Sequence, residues 1–217
     1  MRSPLDKHIG PESRRTLIYI PVIHTRADMG ALSRTIDRFK IQKLGRVGWA
    51  RNVSRVDQFW AEIEHAIDKL ALPYERVRVY QDGLPVCDRE LEIVQKLASA
   101  GSRNHRLVLC LMEKGATIMG TESSDLLVEE YQFAKEGFAS GAHPSAALAD
   151  SPRSALRDSL LQRRDQHIAG RINQTLQRGE TGLMFLGMLH SLQPWLDKDI
   201  RVIYPIYRPL NGRGNKQ

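Results

Sequence analysis

Two apolar runs in this sequence end on a histidine: LIYIPVIH closes at His24 and TGLMFLGMLH closes at His190. Imidazole titrates near neutral pH, so a histidine delivered to the end of a buried run is placed to accept a proton or to bind a metal. Acids accompany both. Asp82 follows RVRVY, Thr121 and Glu122 follow ATIM, and Arg164 and Asp165 lie in RRDQH (163–167). Imidazoles with carboxylates are what general acid–base chemistry or a divalent metal ion needs. The catalytic candidates are His24, His190, Glu122 and Asp165, and the metal candidates are His24, His190 and Glu122. Asp82, Arg164 and Arg171 are the candidates for holding substrate.

Each residue also has a plainer role. A histidine at a strand end commonly bonds a loop carbonyl. Asp82 suits the Asp-Gly turn of QDGLP, and Glu122 suits the first turn of a helix, where an acid meets the positive end of the helix dipole. Arg163 reads as part of a solvated face, whereas Arg164 and Asp165 precede an apolar stripe and read as inward-facing. Gly170 lies inside the same helical pattern at a cost of about 1 kcal/mol relative to alanine, which points to close approach of another backbone.

For these residues to meet, the elements carrying them must converge. Thr16–Ile23 reads as a buried strand with Pro21 at an irregular position. Helical spacing follows over 29–44 and 56–72, the second helix opened by Ser54 as N-cap. Residues 76–80 alternate as a strand, and helices are predicted over 88–100 and 106–113, the latter closed by Gly115. A short strand over 116–119 precedes a helix over 122–135. A small-residue and proline-rich loop spans 139–153. A long helix over 154–178 leads into the strand that begins at Thr181, and 199–205 gives a last strand. Strands alternating with helices imply an α/β fold with a mainly parallel sheet and helices on both faces. In such sheets ligands bind at the carboxyl ends of the strands, where the candidate residues fall.

Length and composition set the frame. The 217 residues are 41% hydrophobic and 26% charged, which fits a single domain over 16–207 with flexible tails at 1–15 and 208–217. No apolar run approaches the roughly 18 to 20 residues that cross a bilayer, and the first fifteen residues lack a signal-peptide core. A cytoplasmic location with no membrane partner is expected. Cys87 and Cys110 are too far apart in sequence for a metal pair, and reduced thiols are expected. The formal charge of +7 favours an anionic partner. With several cations in the tails and no aromatics interleaved, nucleic acid is not expected, and a small-molecule or peptide substrate, preferably anionic, is. GRVG (45–48) lacks the strand and the lysine-serine ending of a phosphate loop, and no Gly-x-Ser-x-Gly elbow is present. If the chain is a hydrolase, water is the nucleophile.

PVIH after the first strand, GMLH after a late one, and RRDQHIAGRI between them resemble the superfamily of erythromycin esterases, ChaN-type haem-binding proteins and TraB/TIKI proteins. Gly187 and His190 match that group's Gly-x-x-His element, while Pro21 stands where its first glycine would. The resemblance implies an α/β fold with a histidine element near each end and acids between them, the positions that Glu122 and Asp165 would take. It also implies a hydrolytic, in some members metal-dependent, activity or a ligand-binding role. The function expected is a hydrolase-like protein activating water through strand-end histidines, either directly or through a divalent metal ion as cofactor. The alternative is a non-catalytic ligand-binding or regulatory protein with an anionic ligand or partner.

Overall fold

A computed structural model describes residues 14–23, 28, 33–139 and 152–205. His24 and Thr25, residues 1–13 of the expected amino-terminal tail, all of the expected tail at 208–217 and most of the 139–153 loop lie outside the described residues. Five strands form one sheet in the order β3-β2-β4-β1-β5. They are β1 (Arg15–Val22), β2 (Val77–Gln81), β3 (Thr117–Met119), β4 (Thr181–Gly187) and β5 (Ile200–Ile203). Every pairing among the described residues is parallel, so the α/β expectation holds.

The helices are α1 (Ser33–Asp68), α2 (Glu90–Ser99), α3 (Arg103–Glu113), α4 (Ser124–Ala139) and α5 (Pro152–Thr175). Side chains alternate across the sheet as a pleat requires. Ile18, Ile20, Val77, Val79, Leu183 and Phe185 pack with Trp60, Ile63 and Ile67 of α1, Val94 of α2 and Val108 of α3. Leu17, Tyr19, Tyr80, Met184 and Leu186 pack on the other face against Ile168, Ile172 and Leu176 of α5 and against Leu192. From β2 the chain leaves through α2 and α3 on the first face. From β4 it leaves past Leu192 on the second. Between these neighbouring strands the connections part, and the carboxyl ends of β2 and β4 form a topological switch point.

Several boundaries differ from the sequence reading. The first strand begins at Arg15, a residue assigned to the tail, because its guanidinium is anchored by Asp199 (2.9 and 2.6 Å), Asp197 (2.8 Å) and the Asn173 carbonyl (2.7 Å). The two helices expected before β2 are present: α1 is two helical stretches that meet at Gly45, whose φ of 70 and ψ of 166 are not helical. GRVG therefore carries the break, and Ser54 lies inside the second stretch rather than at its N-cap. The helix stops at Asp68, ahead of the left-handed Ala71 (φ 46) and Pro73, instead of reaching residue 72. Its first part, 33–55, buries no residue and carries Arg34, Arg38, Lys40, Lys43, Arg46, Arg51 and Arg55 against Asp37 alone, so much of the basic excess sits here. The last helix ends at Thr175, and β4 ends at Gly187, three residues before His190. Cys87 and Cys110 are free thiols. No helix among the described residues is long and apolar enough to cross a membrane.

Two glycines differ in what they constrain, and Gly170 departs from its expected role. At Gly170 an added Cβ meets nothing within 4 Å, so no backbone approaches it there. At Gly120, after β3, a Cβ would lie 2.7 Å from the Val86 Cα and 3.0 Å from the Pro85 carbonyl. Backbone cannot yield there as a side-chain tip can. Gly120→Ala is expected to destabilise by about 1–3 kcal/mol, the range for overpacking. Gly170→Ala is expected to be neutral or to stabilise by up to about 1 kcal/mol. Urea denaturation of both variants checks the contrast, and equal losses would show that the Gly120 contact is not a constraint.

Candidate functional site

Arg164 lies a little past the middle of α5 and is 4% exposed. Its guanidinium reaches three acids. Nη2 donates to Glu122 Oε1 at 2.5 Å and to Asp82 Oδ1 at 2.9 Å, Nε donates to Glu122 Oε2 at 3.2 Å, and Nη1 donates to Glu130 Oε1 at 2.6 Å. Glu122, fully buried, also accepts the Gly83 amide at 3.3 Å. Glu122 does not begin a helix. It forms an isolated parallel bridge with Pro85, and its main chain bonds Leu84 and Val86. Burial pushes the Glu122 carboxyl up, against the pull of Arg164. Burial opposes the charge of Arg164 as well, but the surrounding carboxylates outweigh it and raise its pKa.

Asp82 serves as both turn residue and site residue. It opens the Asp-Gly turn, where Gly83 takes φ 75. One carboxylate oxygen accepts Arg164, and the other accepts the Gly187 amide at 3.0 Å. The end of β2 is thereby tied to the end of β4 and to α5. Beyond Gly187 the chain turns, with the His190 amide donating to the Gly187 carbonyl at 3.2 Å, and His190 folds back over the switch point.

Asp165, next to Arg164 on α5, holds His190. Its Oδ1 lies 2.6 Å from His190 Nδ1, and its Oδ2 accepts the Ser191 amide at 2.9 Å. A carboxylate can only accept, so Nδ1 carries the proton and Nε2 of the neutral ring is the basic nitrogen. Nε2 faces Asp82 Oδ2 at 3.8 Å, beyond hydrogen-bonding distance. Burial works against a charged imidazole, yet the Asp165 hydrogen bond and the charge of Asp82 outweigh it, and the His190 pKa stands above its ordinary value.

The structure thus brings Asp82, Glu122, Arg164, Asp165 and His190 together from four separated segments. It divides their tasks differently from the sequence reading. The Glu122 carboxylate is committed to Arg164, and Asp165 is the acid on His190. Arg164 and Asp82 bond each other, which leaves Arg171, whose Nε donates to the Gly120 carbonyl at 3.4 Å, apart from the cluster. Arg163 is exposed and pairs with Glu129 at 2.8 Å, as a solvated face requires. His24 lies outside the described residues, so its place relative to His190 is not part of this geometry. Among the described residues no three His, Cys, Asp or Glu side chains are grouped to hold a metal ion. The donor set gives the physical reason: a guanidinium already fills the space between the acids, where a second cation would be repelled. These residues do not fit a divalent ion.

Sequence reasoning missed Glu130 as a partner of Arg164, and it missed a second polar cluster. Ser102, the N-cap of α3, accepts the His105 amide at 3.2 Å and has its Oγ 2.7 Å from His105 Nδ1. The same hydroxyl bonds Asp28. The serine lies between the acid and the imidazole, the reverse of the order that activates a serine nucleophile. The cluster caps α3 and fastens residue 28 to it. The Ser-x-x-His spacing of 102–105 was the available signal. Comparison with family models, curated proteins and solved structures finds no match for this chain.

Arg164→Met is expected to cost about 3–5 kcal/mol in urea denaturation at neutral pH, because it strands buried carboxylates. A loss under 1 kcal/mol would show that water reaches the acids. His190 supplies the pH signature. With its folded pKa raised, its contribution to stability is complete below the unfolded value and is lost as pH rises through the folded one. The stability difference between the wild type and His190→Gln should therefore shrink as pH rises from below 6.5, and a difference that grows would contradict the Asp165 pairing.

Proposed function

We propose that this protein is a hydrolase-like enzyme in which His190, oriented by Asp165, activates water against an ester or amide. The observation that carries this reading is the 2.6 Å contact between Asp165 and His190 Nδ1, which directs the basic Nε2 to the switch point of the sheet. In the reaction Nε2 takes a proton from water as the oxygen bonds to the substrate carbonyl. The imidazolium then returns that proton to the leaving alcohol or amine as its bond to carbon breaks. Asp165 and Asp82 favour the imidazolium electrostatically, and this is the state formed as the barrier is crossed. Arg164 acts here as a positioning residue. The proposed family resemblance rests on the same residues, Gly187 and His190 with Asp165 between the two histidine elements.

The test is a panel of ester and amide substrates run on the wild type and on His190→Gln, with and without added divalent metal, and with thermal melts to follow folding. Loss of the base should lower hydrolysis about a hundredfold or more while the fold survives. Asp165→Asn should lower the rate and move the rising limb of the pH profile downward, because the group that raises the His190 pKa has lost its charge. Activity indifferent to His190→Gln would reject it as the base. An inactive wild type across the panel would favour the ligand-binding alternative.

A further inference from the structure

Arg15, Arg78 and Arg164 are the well-enclosed arginines around the sheet, and each has a carboxylate partner: Asp199 at 2.6 Å, Glu180 at 2.8 Å and Glu122 at 2.5 Å respectively. Arg171 is the exception. It is half-buried on α5, two helical turns beyond Arg164, and donates one hydrogen bond, from Nε to the Gly120 carbonyl at 3.4 Å. No carboxylate among the described residues forms an ion pair with it. Its charge is felt by Glu90, but that carboxylate accepts the Cys87 amide at 2.9 Å instead. The other nitrogens of its planar fork are open to solvent and can take a carboxylate or phosphate oxygen.

One turn before Arg171, on the neighbouring strip of the helix surface, stands His167. Its Nε2 is buried and has no hydrogen-bond partner among the described residues. Burial, and then the charge of Arg171, lower its pKa, so the ring is neutral at neutral pH and has one N–H to donate. Beside these two residues is Gly170, where a Cβ would meet nothing within 4 Å. A glycine inside a helix costs about 1 kcal/mol relative to alanine, and no packing contact requires it here. What it provides is an uncovered stretch of helix surface one and three residues from Arg171 and His167.

We propose that Arg171 and His167 form a binding subsite for one oxyanion group, a carboxylate or a phosphate, on a small-molecule ligand that lies over Gly170. Arg171 supplies the charge and a planar fork, and His167 supplies a single directional donor. Through Gly120 the subsite adjoins Thr121 and Glu122, and along α5 it stands about 10 Å of helix rise from Arg164. If the hydrolase reading holds, this is where the substrate's anionic end sits. Binding itself requires no catalysis.

The experiment titrates inorganic phosphate and, separately, succinate into the full chain, by calorimetry and by NMR of the His167 imidazole nitrogens. Saturable binding of at least one oxyanion with a shift at His167 is expected, and the preferred probe distinguishes a phosphate-bearing from a carboxylate-bearing ligand. Arg171→Met and Gly170→Leu should each weaken binding about tenfold or more, the first by removing the charged donors and the second by filling the space. Arg106→Gln, an exposed arginine elsewhere, should leave it unchanged. Gly170→Leu removes no donor and improves helix propensity, so it separates blocked binding from lost folding. Absence of saturable binding by either probe, or binding indifferent to both Arg171→Met and Gly170→Leu, overturns the proposal. An inactive hydrolase panel leaves this binding result standing, and a failed titration leaves the His190 panel standing.

Discussion

A single buried cation sets the positions of the candidate site. Carboxylates withdrawn from water cost several kcal/mol each unless charge and hydrogen bonds replace the solvent, and Glu122 and Asp82 are both withdrawn. Arg164 makes their burial possible. Its planar fork meets both oxygens of Glu122 while Nη2 also reaches Asp82, a geometry that a lysine ammonium on a single stem could not supply. The consequences then pass along the chain of contacts. Asp82, fixed by Arg164, fixes the Gly187 amide. Gly187 sets the turn that carries His190, and Asp165, adjacent to Arg164 on the same helix, receives the ring. One residue pair on α5 thus governs both the acid cluster and the base.

The arrangement separates two tasks that the same residue types could have shared. Glu122 and Asp82 are spent on neutralising Arg164, so their negative charge is largely cancelled where it is buried deepest. Asp165 bonds no arginine, and its charge acts on His190. The imidazole consequently sits beside an acid that favours its protonated form while still presenting a basic nitrogen. Asp82 contributes from the other side at 3.8 Å, too far to bond Nε2 directly but close enough to act on its charge.

Much of this was legible in the sequence wherever periodicity and local chemistry agreed. The apolar block of residues 182–186 reads as a central strand and is one, flanked by β1 and β2. Arg164 and Asp165 read as inward-facing because an apolar stripe follows them. The helix break at GRVG was read correctly, whereas the start of the second helix was placed too late, since residues 46–55 bury nothing and so carry no apolar stripe. Gly170 was misread, because a sequence cannot tell a glycine that admits a neighbour from one that leaves a space. The pairings within the site were beyond reach for a related reason. Whether Glu122 or Asp165 faces His190 depends on which side of α5 meets which strand end, and on amides at Gly83, Gly187 and Ser191 that carry no signature in side-chain type.

The strand order has a consequence for how the chain comes to be folded. β1 and β2, consecutive among the described strands, are not neighbours: β4 lies between them and pairs with both, in register from Thr16 opposite Thr181 and from Val77 opposite Thr181. Until the segment around 181–187 exists, β1 has no partner among the described strands, because β5, its other neighbour, is made later still. Pairings this distant in sequence are slow to form, since a long loop must close before any contact compensates. A chain ending near residue 175 therefore holds β1 as an unpaired apolar strand although Asp82, Glu122 and Arg164 are all present in it. Completion of the sheet waits for β4, and a chain cut short before it is left with exposed edges open to aggregation.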